Sequence, residues 1–263
     1  MKILFVGDIV GSGGREAVKL LVPQLREEFG CSFCIANGEN MAGGNGMTKP
    51  LLSQFPEGTV DVFTSGDHTW DQKEFPGQID RCPNVLRPAN LGALQPGRGS
   101  GLYTAADGTA VGVINLIGRT FIGVPSDSPF TYAERLVAEL RQTTPVIVVD
   151  FHAEATSEKI AMGRFLDGRV SAVFGTHTHV ATADTTIFPN GTAFQCDVGM
   201  VGARESILGR DISAVLSRFV TGMPTRFTVN EEGTVLHGAV VEIDPSTGRA
   251  TAVERVERSC PPA

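Results

Sequence analysis

The chain has 263 residues, of which 41% are hydrophobic and 19% charged, and a formal net charge of -7. Length and composition exclude a disordered or fibrous chain and predict a single α/β domain over residues 1–263. The acidic balance excludes tight non-specific binding to long duplex nucleic acid, which needs many Lys and Arg contacts to phosphates.

The N-terminal stretch "MKILFVGDIVG" is apolar only briefly and is broken by Asp8, so it predicts a first strand (2–7) rather than a signal peptide or membrane span. A helical pattern follows in "GREAVKLLVPQLREEF", where Pro23 predicts a kink or a restart. Next comes the run "CSFCIA" (31–36). Strand geometry there sends Cys31 and Cys34 to opposite faces, and packing accounts for them better than zinc.

Further runs are "VDVFTS" (60–65), "PVIVVDF" (145–151) and "VSAVFG" (170–175), with a helical pattern in "SPFTYAERLVAELRQ". The five runs are mostly continuous rather than alternating, as in strands covered on both faces, and the helices between them imply parallel βαβ units. Asp107-Gly108 and Asn190-Gly191 sit between strand-like arms and predict hairpins, and "RFTVNEEGTVLHGAVVEIDPSTGRATAVERV" reads as strands joined by tight turns. Mixed sheets are therefore expected. The tail "RSCPPA" (258–263) is expected to fray. Five cysteines, an odd number without framework spacing, fit a reducing cytoplasm.

Each long run ends in metal-capable or ionisable residues: Asp8; Glu39 and Asn40; Asp67 and His68; His152; His177 and His179. Ligands of open α/β sheets bind beyond the carboxyl ends of the strands, so these residues are predicted to converge at one rim. Taken singly, each reads more readily as a turn cap or a satisfied histidine. Five repeats of the same placement weigh against that reading. In an extended segment the i, i+2 pair His177 and His179 faces one way, so the two rings would serve neighbouring metals or share one, and spacing alone does not decide. Glu39 is the natural bridge, each carboxylate oxygen holding one ion. An oxygen and nitrogen set without thiolates suits Fe, Mn or Zn, and six-coordination favours the first two.

Other residues attract blander readings. Trp70 is expected to pack rather than stack on a ligand. Asp71 suits a cap for the following segment at least as well as an orienting partner for His68. The "GSGG" after Asp8 matches neither glycine-rich phosphate-loop pattern, and His237 lies away from any rim motif.

With these residues in place, the chain resembles the calcineurin-like metallophosphoesterases, and more closely the YmdB-type bacterial family of 2',3'-cyclic nucleotide 2'-phosphodiesterases. The shared stretches are "KILFVGDIVG", "NGENMAGGNGMT", "SGDHTWD", "LRPAN", "FHAEATSEK" and "FGTHTHV", from residue 1 to about 210. The resemblance implies an αββα sandwich of two mixed β-sheets flanked by helices. It implies one metal held by Asp8, Glu39, Asn40 and His179, another by Glu39, Asp67, His152 and His177, and His68 as proton donor. Fe is the first choice for both ions, with Mn or Zn as alternatives.

The chain departs from the pattern at two points. General members carry a DxH at the first strand, whereas Asp8-Ile9-Val10 has an apolar residue in place of that histidine, and Asn40 stands in for it. The closer family usually has Asn where this chain has Asp67. A third carboxylate takes a site of two divalent ions and one hydroxide from a charge of about +1 to near zero. A ferric or mixed-valence centre is therefore expected.

The expected activity is hydrolysis of a small phosphodiester or nucleotide by a hydroxide shared between the ions, with His68 as general acid. A phosphatase acting on monoesters or phosphoproteins, and a low-turnover metal-dependent regulator, are the rivals. An amidohydrolase fits less well, because its HxH lies on the first strand. No membrane partner is expected, and a homo-oligomer is left open.

Overall fold

The computed structural model describes residues 1–261. The first three apolar runs become β1 (Lys2–Val6), continued by the short β2 (Asp8–Ile9), then β3 (Phe33–Asn37) and β4 (Val62–Thr64). Helix α1 (Gly11–Phe29) joins β2 to β3, and the single turn α2 (Lys49–Leu52) precedes β4. β5 (Ser100–Thr104) and β6 (Ala110–Ile117) form the hairpin predicted at Asp107-Gly108. Then come α3 (Pro129–Leu140), β7 (Ile147–His152), α4 (Thr156–Phe165) and β8 (Ala172–Thr176). β9 (Thr186–Ile187) and β10 (Ala193–Gln195) make the Asn190-Gly191 hairpin. β11 (Met200–Ala203), α5 (Ile212–Thr221), β12 (Thr234–Ile243) and β13 (Ala250–Ser259) complete the order.

The strands form two mixed sheets. One runs β2-β11-β12-β1-β3-β4 with β13 added beside β12, and the other runs β5-β6-β7-β8-β10-β9. β1, β3 and β4 are mutually parallel, in register at Val6, Ala36 and Phe63, so their carboxyl ends stop at one level. β6, β7 and β8 do the same in the other sheet, with Ile117 opposite His152 and His152 opposite Thr176.

Three apolar layers explain why the runs are continuous. Along β1, Ile3 and Phe5 face the other sheet while Leu4 and Val6 face α1, since successive side chains alternate. Along β7, Val148 joins the layer between the sheets, and Ile147, Val149 and Phe151 pack against α3 and α4. Both faces of these strands are dry, so no polar alternation survives. Phe5 and Phe174, both fully buried, meet across the sheets with ring centroids 5.1 Å apart. The result is the expected αββα sandwich.

Several local expectations are corrected. α1 runs through Pro23 as one helix, which excludes the restart of the two alternatives, a kink or a restart. Only one backbone bond is forfeited there, and Val18, Leu21, Val22 and Leu25 bury the helix on both sides of it. The helix ends at Gly30, whose φ of 69° lets the following Cys31 N–H return to Arg26 O at 2.8 Å. Cys31 thus precedes β3 rather than lying in it, and both Cys31 and Cys34 enter the same core layer instead of opposite faces.

"RFTVN" forms no strand. Val229 makes only an isolated bridge with Arg210. The expected frayed tail is instead held as far as it is described: Arg258 and Ser259 belong to β13, and Cys260 donates its N–H to Thr234 O at 2.8 Å. Pro262 and Ala263 lie outside the described residues. Among the described residues, no helix is long and apolar enough to cross a membrane.

Candidate metal centre

The carboxyl ends of β1, β3, β4, β7 and β8 open onto one rim where the two sheets meet. Glu39, Asp67, His152 and His177 converge there, each offering a donor atom within 4.8 Å of the others. His152 Nε2 lies 2.9 Å from Asp67 Oδ1, 3.2 Å from Glu39 Oε1 and 3.0 Å from His177 Nδ1, and His177 Nδ1 lies 3.2 Å from Asp67 Oδ1. Donors about 2.1 Å from one ion are separated by roughly 3.0 Å in an octahedron and roughly 3.4 Å in a tetrahedron. The spacing fits a single cation.

A second group adjoins the first through Glu39. Asn40 Nδ2 is 3.4 Å from Glu39 Oε1 and 3.2 Å from His179 Nε2, and Asp8 Oδ1 is 3.9 Å from His179 Nε2. Asp8 is fully buried, and its Oδ1 has no hydrogen-bond partner. A carboxylate oxygen stranded in the dry interior beside a histidine nitrogen is the arrangement a cation would satisfy. Glu39 lies between the two groups. Oε1 faces both, and Oε2 accepts the His68 N–H at 3.2 Å.

The electrostatics point the same way. Burial pushes Asp8 well above the ordinary carboxylate range, with His152 opposing. Burial alone would lower His152, but Glu39 and Asp67 outweigh it and hold the ring well above the usual histidine range. Burial would also raise Asp67, yet its bonds to His152 and His177 hold it far below. The same surroundings that favour a proton at these groups favour a cation.

Each ligand is aimed by a neighbour. Thr176 Oγ1 sits 2.9 Å from His152 Nδ1 and donates to Asp150 Oδ1 at 2.7 Å, which leaves Nε2 of the ring free for the centre. His179 Nδ1 donates to Leu208 O at 3.1 Å, so its Nε2 is likewise the free nitrogen. His177 and His179 have φ of 102° and 64°, a left-handed backbone that non-glycine residues rarely hold. Asp197 keeps them so by accepting Thr178 N–H at 3.0 Å and Thr178 Oγ1–H at 2.8 Å, while the buried Lys159 anchors Asp197 at 2.7 Å. At Gly66 a Cβ would overlap the His152 ring and the Glu39 carboxylate, so only glycine lets β4 exit this close to the centre.

His68 stands beside the ligands. Its Nδ1 meets Asp71 Oδ2 at 2.8 Å, and its Nε2 is 3.9 Å from Asp67 Oδ2. Asn45 Nδ2 donates to the same Asp71 oxygen at 3.1 Å. Asp71 therefore orients His68 and caps no helix; the segment after it forms short 3-10 turns whose first begins at Phe75 without a side-chain cap. Trp70 packs against Phe75 and the outer core, its indole N–H bonded to Gln95 Oε1 at 2.7 Å. The glycine-rich start of α1 is closed by Glu231, whose carboxylate accepts Ser12 N–H at 3.3 Å and Gly13 N–H at 3.2 Å.

The family model of YmdB-like proteins matches residues 4–256. The chain belongs to the YmdB-like family. It is 50% identical over 256 residues to a 2',3'-cyclic-nucleotide 2'-phosphodiesterase of Bacillus subtilis, covering 97% of this chain and 96% of that one. A phosphatase structure from Mycoplasma pneumoniae superposes with a TM-score of 0.88 at 31% identity, covering 98% of this chain and 93% of that one. The calcineurin-like phosphoesterase YfkN of Bacillus subtilis shares the fold, with a TM-score of 0.61 at 13% identity over 98% of this chain and 90% of that one.

The YmdB-like chain brings to the site three side chains that the rim pattern missed. Glu154 Oε2 lies 3.2 Å from His177 Nε2, and Lys159 and Asp197 brace the His177–His179 turn. Glu154 and Lys159 fall inside "FHAEATSEK", but nothing in their spacing distinguishes them from surface charges of a helix start. Asp197 follows an apolar arm as a turn residue would. The "LRPAN" stretch proves structural: Arg87 donates to the carbonyls of Pro88, Gln95 and Pro96, and Asn90 Nδ2 to those of Ile117 and Asp127.

Proposed function

We propose that the chain is a dinuclear metal-dependent phosphodiesterase acting on small phosphodiesters, foremost nucleoside 2',3'-cyclic phosphates. Asp8, Glu39, Asn40 and His179 would hold one ion and Glu39, Asp67, His152 and His177 the other. The unpartnered Asp8 Oδ1 beside a four-donor cluster is the observation that carries this reading. Ions held there would neutralise charge on the phosphoryl oxygens and acidify a water.

The chain's own residues do the rest. Water adds to phosphorus, the bond from phosphorus to the 2'-oxygen breaks, and that oxygen leaves needing a proton. His68, fixed through Nδ1 by Asp71, presents Nε2 to donate it. Burial of Glu39, Asn40 and His152 keeps bulk water away from the ligand side of the site. Asp67 adds a third carboxylate and supports Fe, in a ferric or mixed-valence state, over Mn or Zn. The family match across residues 4–256 and the shared inter-sheet core support one domain. Five free cysteines support a cytoplasmic location.

The test combines metal content with a panel of phosphomonoesters, linear diesters and cyclic nucleotides. Two metals per chain with cyclic nucleotides as the fastest substrates is the expected result. Monoesters turned over faster would favour a phosphatase, as the name of the Mycoplasma genitalium relative, a putative phosphatase/phosphodiesterase, allows. Metal-replete protein without turnover of any phosphoester would make it a regulator.

A further inference from the structure

A cavity of about 280 Å³ opens directly over the centre, with Glu39, Asn40, His68, His177 and His179 on its floor. Its other wall is the segment from Ile207 to Phe227, contributing Arg210, Val215, Phe219 and Phe227. The volume lies just under the usual range for small-molecule sites, which suits a monomeric ligand rather than a polymer.

One feature of that wall is not explained by packing, and a second sets its charge. Phe219 lines the cavity yet is 80% exposed, on a helix that also exposes Ile212, Leu216 and Val220 and whose only buried residue is Val215. Exposed apolar surface of this kind marks a place for a ligand or a partner, and Phe219 is the part of it that borders the polar site. Arg210 reaches from this wall to the loop after Glu39, where its Nη2 donates to Gly44 O and Asn45 Oδ1, each at 2.7 Å. Asn45 is the residue that also bonds Asp71, the partner of His68. Arg210 therefore carries the cavity's one guanidinium at the edge nearest the proton donor. Its Nη1 packs against Gly44 beside those two bonds, which Nη2 alone makes.

We propose that this cavity is a nucleobase slot, in which Phe219 and Phe227 stack on the base of a nucleotide while Arg210 binds a phosphoryl oxygen. The assignment rests on the phosphodiesterase reading for the phosphate's position and adds how a nucleotide is told from a simple diester. Charge and shape divide the ligand accordingly. The anion meets Arg210 and the floor, and the planar base meets the aromatic wall. Base stacking is tolerant of sequence, since every base has a π-face, so purine and pyrimidine cyclic phosphates should both be accepted.

The test compares the metal-loaded wild type with Phe219→Ala, Phe227→Leu and Arg210→Gln on adenosine 2',3'-cyclic phosphate and on glycerol 1,2-cyclic phosphate, which has no base. Phe219 is exposed, so its loss should not unfold the chain. The preference in kcat/KM for the nucleotide should fall about tenfold in Phe219→Ala, about 1.4 kcal/mol, through KM rather than kcat. Arg210→Gln should weaken both substrates alike.

Calorimetry reads the slot independently of turnover. Adenosine 3'-monophosphate should bind the wild type more tightly than glycerol 2-phosphate, and Phe219→Ala should erase most of that difference. Failure of turnover with this binding pattern intact would sink the phosphodiesterase reading and leave the slot standing. An unchanged preference in both Phe variants would overturn the slot. So would sedimentation showing that Phe219→Ala dissociates an oligomer while the preference stays, since α5 would then be a contact between copies of the chain.

Discussion

Glu154 Oε2 lies 3.2 Å from His177 Nε2, on the opposite side of the ring from the nitrogen that meets His152 and Asp67. The carboxylate fixes which nitrogen faces the centre and raises its strength as a donor, as outer carboxylates do for ligating histidines. Glu154 is half-exposed, so its replacement should leave the fold intact. Glu154→Ala should weaken metal binding about tenfold or more at the Asp67 side. Metal retained after dialysis against graded chelator measures it, and retention equal to wild type would refute the role.

Metal uptake should release protons. In the metal-free fold Glu39 and Asp67 favour the protonated His152 ring against the effect of burial, and burial favours the protonated form of Asp8. A cation needs the neutral imidazole and the ionised carboxylate, so both protons must leave. Raising the pH removes them in advance, and affinity therefore rises with pH until they are gone. Calorimetric titrations in buffers of different ionisation enthalpy, from pH 6 to 8, should report net proton release that shrinks as the pH rises.

Asp71 should matter through His68. Asp71→Asn loosens the ring that Nδ1 anchors at 2.8 Å without touching the ligand cluster. We expect unchanged metal content and about a tenfold loss of kcat on substrates with poor leaving groups. An activated aryl diester, whose leaving group needs no proton, should lose much less. His68→Ala should show the same contrast more strongly, and equal losses on both substrates would remove His68 from the acid role.

Asp67→Asn should shift the metal rather than the fold. Removing one negative charge raises the site's net charge by one and lessens the pull for a trivalent ion. Iron in protein purified without added metal should be more ferric in wild type than in the variant, as read by electron paramagnetic resonance. Equal oxidation states would contradict the charge argument.

Gly66→Ala adds one methyl where the His152 ring and the Glu39 carboxylate already stand. Both metals should be lost while the ligands themselves are unaltered. Circular dichroism should report a retained fold, and a variant that binds metal normally would show that β4 has room to retreat.

Much of the site was legible along the chain because strand ends are. Five apolar runs stop before Asp8, Glu39, Asp67, His152 and His177, and parallel strands in register must bring such ends to one rim. The nucleus of the fold was legible for a related reason: strands covered on both faces have no polar alternation, as β1 and β7 demonstrate. Other features depended on partners distant in sequence. Cys31 was placed by where α1 happened to end, and Pro23 was tolerated because the residues around it were buried on both sides. Asp71 turned toward His68 because Asn45, from another loop, held it there.

The sequence alone determined the periodicity, the strand ends and the kinds of donor placed at them, because backbone geometry reads those locally. Only the tertiary structure decided that Glu39 lies between both groups, that Asp197 and Lys159 lock a strained turn, and that Phe219 and Arg210 overhang the centre. Each of those depends on side chains from separate elements meeting in space, and their separation along the chain carries no trace of the meeting.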